Sequence, residues 1–137
     1  MQVTMTKILV AIDGSDAAIH AARKALELSG NVTLATVVTP LFVPVEVAFD
    51  AAAFQEEAVK AAEDLLSNAS KELGKPGLPR VCLQGSVAEC IADYADSHHF
   101  DVIAVGSKGR GAVSRVLLGS NTDRLVHIAK KPVLVVR

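Results

Sequence analysis

Short unbroken runs of apolar, mostly branched residues punctuate the chain, and between them apolar positions recur every three or four residues. The runs are KILVAI at 7–12, VTLATVV at 32–38, RVCLQ at 80–84, DVIAVG at 101–106 and PVLVV at 132–136. Runs this short and continuous are what strands buried on both faces require. RVCLQ is the weakest of them. The segments between carry helix signals. Ser15 stands as a cap before DAAIHAARKALELS, which stops at Gly30, with Asp16 at the positive end of the helix dipole and Arg23 and Lys24 toward the negative end. FQEEAVKAAEDLLSNASKEL (54–73) places Ala58, Ala62, Leu65, Ala69 and Leu73 on one stripe and ends at Gly74, with Pro76 beyond. Ser86 and Glu89 have capping-box spacing ahead of VAECIADYADSH. Ser120 or Asn121 opens TDRLVHIAKK, which Pro132 ends.

Strand and helix alternate along the whole chain, which predicts an α/β fold: an open five-stranded parallel sheet with helices on both faces. No linker, repeat or low-complexity tract divides it, so 1–137 reads as a single domain. One connection is unusually long and apolar. TPLFVPVEVAFDA (39–51) reads as a lid or a subunit contact. In an open parallel sheet, ligands bind beyond the carboxyl ends of the strands, where the strand order reverses. The first and fourth strands are natural neighbours at that point, and their ends deliver Asp13 and Gly106.

Composition changes this picture in three respects. Half of the 137 residues are hydrophobic, enough for a packed core, and a net charge of −1 argues against nucleic acid as a partner. The charge is uneven, however. From 106 to 131 the basic residues Lys108, Arg110, Arg115, Arg124, Lys130 and Lys131 face only Asp123, with no stacking aromatics, which suits a small anion. Cys82 and Cys90 have neither metal nor redox spacing; Cys82 is expected as a buried free thiol in a reducing compartment. No signal peptide precedes KILVAI and no run reaches membrane-spanning length, so a cytoplasmic protein without a membrane partner is expected.

The candidate chemistry lies in GSKGRGAVSRVLLGSN (106–121). Gly106 and Gly109 would let backbone N–H groups approach an anion, and Gly119 turns the chain into a helix whose first N–H groups and positive dipole end face the same place. Ser120 adds a hydroxyl, and Lys108 or Arg110 a charge. Neither a Walker A loop nor G-x-G-x-x-G after the first strand is present; that position holds DGSD. There is no H-E-x-x-H and no G-x-S-x-G, and His98 and His99 diverge on a helix, so no catalytic residue is assigned. Any Mg²⁺ would arrive with the phosphates.

KILVAIDGSDAA, VGSKGRG, LLGSNTDRLVHIAKKPVLVV and the alternating pattern together resemble the universal stress protein family across essentially the whole chain. The spacing G-x2-G-x9-G-[ST], met by Gly106, Gly109, Gly119 and Ser120, is similar to that family's ATP-binding branch. The resemblance implies a Rossmann-like, adenine nucleotide α-hydrolase-like fold with strand order 3-2-1-4-5. It implies a stress-response module binding ATP, or AMP or cyclic AMP. Asp13 would then meet the ribose hydroxyls, Ala11 would lie beside the base, and the Val37 backbone would read the adenine edge. Gly106, Gly109, Gly119, Ser120 and Asn121 would hold the phosphates, with Arg110 beside them. Asn121 replaces a small apolar residue, and Gly111 is an extra glycine. The resemblance also implies a homodimer through the C-terminal strand and a protein partner that it does not name. A slow ATP hydrolase and a scaffold dimer with a vestigial cleft are the alternatives.

Overall fold

Each apolar run becomes a strand, and each three-to-four-residue pattern a helix. The computed structural model describes residues 5–40, 48–108 and 119–137, with the backbone alone at 48–50. In chain order the elements are β1 (Lys7–Ala11), α1 (Asp16–Leu28), β2 (Asn31–Val38), α2 (Ala48–Glu72), β3 (Arg80–Gln84), α3 (Val87–Ser97), β4 (Val102–Gly106), α4 (Ser120–Ile128) and β5 (Val133–Val136). All strand pairs are parallel, and their order is β3-β2-β1-β4-β5. The order reverses between β1 and β4, as expected from the sequence.

Two apolar layers form because successive strand residues face opposite sides of the sheet. Ile8 and Val10 of β1 pack with Ala18, Ala21, Ala22 and Ala25 of α1, with Leu66 and Ala69 of α2 and with Leu73 just beyond it. Leu9 faces the other layer, with Ala88, Ile91 and Ala95 of α3 and Leu125 of α4. The alanine-rich face of α1 brings that helix close to the sheet.

Several local expectations are corrected. α2 begins at Ala48 rather than Phe54, because the alanines of AFDAAA favour helix, and this shortens the 39–51 connection. Residues 41–47, and with them most of the suggested lid or subunit contact, lie outside the described residues. Leu66, which the stripe left out, is the fully buried leucine of α2, while Leu65 is half-buried and packs against the same core. Ser86 is the N-cap of α3, but its side chain makes no capping bond; Glu89 turns away to Arg124 of α4. The N-cap of α4 is Gly119, not Ser120 or Asn121, and the helix ends at Ile128, before Pro132. Cys82 is free, as expected, but half-buried.

Candidate functional site

At the carboxyl ends of the strands the chain diverges. β1 and β4 pair as far as Val10↔Ala104, after which β1 turns off toward α1 and β4 ends at Gly106. A cavity of about 520 Å³ opens there. Ala11, Asp13, Val37, Gly106, Gly119, Ser120 and Asn121 all line it. Gly109 and Arg110, the other two residues expected at this site, lie outside the described residues.

The first wall is the turn from β1 into α1. Ser15 N–H donates to Asp13 Oδ1 at 2.9 Å, and Ser15 Oγ–H donates to the same oxygen. Ser15 Oγ in turn accepts from Ala18 N–H at 3.2 Å, which caps α1. Gly14 has φ +86°, a left-handed conformation that glycine adopts at little cost and that this tight reversal needs. The turn thus holds the Asp13 carboxylate at the cavity mouth.

β2 supplies the second wall. Ala35 C=O accepts from Ile12 N–H, and Val38 C=O accepts from Gly85 N–H on the opposite side. Peptide groups of successive strand residues face alternate neighbours, so the N–H and C=O of Val37 turn toward the β1 side. They lie two residues past the last β1–β2 pair, Ala11↔Ala35, at the cavity. Val87, Ala88 and Ile91 of α3 close the slot on one face, and Ala61, Ala62 and Leu65 of α2 on the other. The strand spacing could not reveal these helix walls, because they meet only through tertiary packing.

The third wall is the end of β4 with the start of α4. Here the structure gives Gly106 a different reason from the one its sequence position offered. A Cβ on Gly106 would lie 2.8 Å from both the carbonyl carbon and the Cβ of Ala17, and 2.9 Å from the Ala17 oxygen. The missing side chain lets α1 press onto β4, whatever ligand is bound. Gly119 N–H is also committed, donating to Ser107 C=O at 2.9 Å. The outward-facing donors are therefore those of Ser120, Asn121 and Thr122, which begin α4 and have no helical carbonyl four residues back. Their partial positive charge faces the cavity.

The basic surplus of this region is smaller in three dimensions than along the chain. Arg124 donates to Glu89, and that hydrogen bond, first among several causes, holds the Glu89 carboxyl below its ordinary value. Lys130 Nζ lies 3.9 Å from Asp96. Among the described residues, Lys108 is the cation that lines the cavity. No cluster of three metal-ligating side chains occurs among the described residues. Burial, ahead of neighbouring carboxylates, raises both thiols, Cys82 and Cys90. Thr36 and Thr122, both buried, also line the cavity. Sequence reading passed over them; for Thr122 the one signal was a hydroxyl residue in the first turn of the helix.

The universal stress protein family model matches residues 4–137. A universal stress protein of Thermus aquaticus is 36% identical over 134 residues, covering 95% of this chain and 97% of the relative. The universal stress protein UspA from Lactobacillus plantarum superposes with a TM-score of 0.84 at 26% identity, covering 99% of this chain and all of that one. More distant structures share the fold and hold adenine nucleotides: a universal stress protein in complex with cAMP (TM-score 0.62, 21% identity), one from Arabidopsis thaliana with AMP bound (0.59, 20%) and one from Archaeoglobus fulgidus in complex with dAMP (0.54, 21%).

Proposed function

Given that the chain belongs to the universal stress protein family, we propose that it is a regulatory module that binds an adenine nucleotide, ATP foremost, in the cleft between β1 and β4. The observation that carries this is the single cavity uniting three unlike surfaces: the Asp13 carboxylate, the main-chain edge of Val37, and the first turn of α4. These match the three chemistries of a nucleotide. An apolar slot with one polar main-chain edge suits a purine, a carboxylate accepts from sugar hydroxyls, and a helix N-terminus suits phosphate. AMP- and cAMP-bound relatives support the ligand class.

In this reading Ala11 and Val37 receive the base, Asp13 the ribose, and Ser120 and Asn121 the phosphates. Gly109 and Arg110 of the connecting loop complete the anion site, with Lys108 adding charge. Gly106 and Gly119 act indirectly, by seating α1 and by anchoring α4. Bound ATP would supply its own phosphate charge and carry Mg²⁺ with it. The reading assigns no catalytic base and at most slow hydrolysis. β5 lies at the edge of the sheet, the position that pairing with a second copy requires; the module acts as a homodimer in the cytoplasm and reports its bound state to a protein partner. No helix of the described residues is long and apolar enough to cross a membrane.

Isothermal titration with ATP tests the proposal. The parent protein should bind, and Gly109→Asp and Gly119→Val should each abolish binding. Gly119 has φ −59°, open to any residue, so its loss would come from side-chain bulk rather than backbone strain. Parent-like binding by both variants would refute the assignment.

A further inference from the structure

The geometry points to the Thr122 side chain as a positioning group for the phosphate end of the cleft, its hydroxyl acting through the Gly106 carbonyl and the first turn of α4 rather than on the ligand. This rests on the nucleotide reading above. Thr122 Oγ1 donates to Gly106 C=O at 2.9 Å, and the side chain is buried, with 7% of its surface exposed.

The direction of that carbonyl follows from the ladder. Ile103 N–H donates to Pro132 C=O and Ser107 N–H to Val136 C=O, so odd-numbered residues of β4 face β5. Gly106 therefore faces the β1 side. The β1–β4 ladder stops at Val10↔Ala104, so the Gly106 carbonyl opens into the crevice rather than onto a strand. A bare carbonyl oxygen there would turn its partial negative charge toward a cavity that has to hold an anion. The Thr122 hydroxyl covers it.

The same bond locates α4. Together with Gly119 N–H to Ser107 C=O at 2.9 Å, it fastens the helix start to the end of β4 at two points. These ties hold the first-turn donors against the end of β4. Helix grammar alone favours an acid at the third position, where it meets the positive dipole end. An acid here would repel the anion, and threonine is a weaker helix former that supplies the hydroxyl instead.

Three measurements on the full chain decide this: titration of Thr122→Val and Thr122→Ser with ATP, titration of both with adenosine, and amide exchange of nucleotide-free protein. Thr122→Val should weaken ATP about tenfold, the worth of one such hydrogen bond with its carbonyl left uncovered, and adenosine less than about twofold. Thr122→Ser should bind like the parent. Without nucleotide, exchange at the Gly119 and Asp123 amides should quicken in Thr122→Val while that of Leu9 in β1 stays put. Equal losses for ATP and adenosine, or parent-like ATP binding in Thr122→Val, would overturn the positioning role. If Thr122→Val does not fold, rapid exchange of the Gly119 amide in the parent or in Thr122→Ser would overturn it, and slow exchange in both would support it. A parent that binds neither ATP nor adenosine refutes the nucleotide reading and the role derived from it. The exchange data then still decide whether the tether exists.

Discussion

Replacing Gly106 by alanine separates two reasons for a glycine at the end of β4. The new Cβ would meet Ala17 at 2.8 Å from its carbonyl carbon, 2.8 Å from its Cβ and 2.9 Å from its oxygen. Comfortable carbon contacts begin at about 3.5 Å, so α1 has to move by roughly 0.7 Å. That helix cannot slide freely, because Ala18, Ala21, Ala22 and Ala25 are sealed against β1 and β2. Overpacking of this kind costs about 1–3 kcal/mol. Gly106 is not at positive φ, so loss of unfolded-state freedom returns about 0.4–1 kcal/mol. The net destabilisation is about 1–2 kcal/mol. In a domain of 137 residues this lowers the melting temperature by roughly 3–7 °C. Thermal melts followed by circular dichroism, without nucleotide, measure it. Ala17→Gly removes one of the three clashing atoms, so the double variant should recover only part of the loss. A Gly106→Ala protein that melts with the parent yet fails to bind ATP would refute the packing argument and return the glycine to the ligand.

Three other outcomes follow from the same geometry. Ser15→Ala removes both the α1 cap and a donor to Asp13, so it should lower unfolding stability in urea by about 1 kcal/mol and weaken ATP as well; unchanged ATP affinity would detach Asp13 from the ribose. The Arg124 hydrogen bond holds Glu89 below its ordinary value of 4.5, so the folded state resists protonation there. The pair therefore stabilises the fold above about pH 4.5 and is lost as pH falls through the lowered value. Both partners are exposed, so the gap in urea midpoint between parent and Glu89→Gln should be small at neutral pH. It should shrink further in about 1 M salt and vanish in acid; a gap that widens in acid contradicts this. Cys90 Sγ–H donates to Gln84 C=O, and burial raises its thiol, so disulfide reagents at neutral pH should modify Cys90 much more slowly in the folded protein than in urea. Equal rates would show an open thiolate.

Much of the fold was readable in the chain. Five apolar runs marked the five strands because a strand buried on both faces has no polar position to spare. Ser15 and Gly30 bounded α1 through local backbone chemistry. Ser86 and Glu89 misled: the spacing of a capping box records what two side chains can reach, and Arg124, 35 residues further on, offered Glu89 a charged partner instead. The start of α2 was missed because the prolines of the preceding segment outweighed the alanines of 48–53 in a local reading.

At the site, local pattern placed Asp13, Gly106, Gly119 and Ser120 at strand ends and a helix start, while Val37 came from the family resemblance; the fold brings all five to one cavity. What each does was decided in three dimensions. Gly106 looked like room for an anion, and the structure shows that its bareness makes room for α1 as well; Gly119 was expected with the phosphates through the resemblance, and its N–H is bound to Ser107; the basic surplus is partly drawn off by Glu89 and Asp96. Sequence reports which residue types occur at what spacing, and backbone periodicity converts that into elements. Which amide, carbonyl or charge is left for a ligand depends on neighbours distant along the chain, and those are set only when the helices pack onto the sheet.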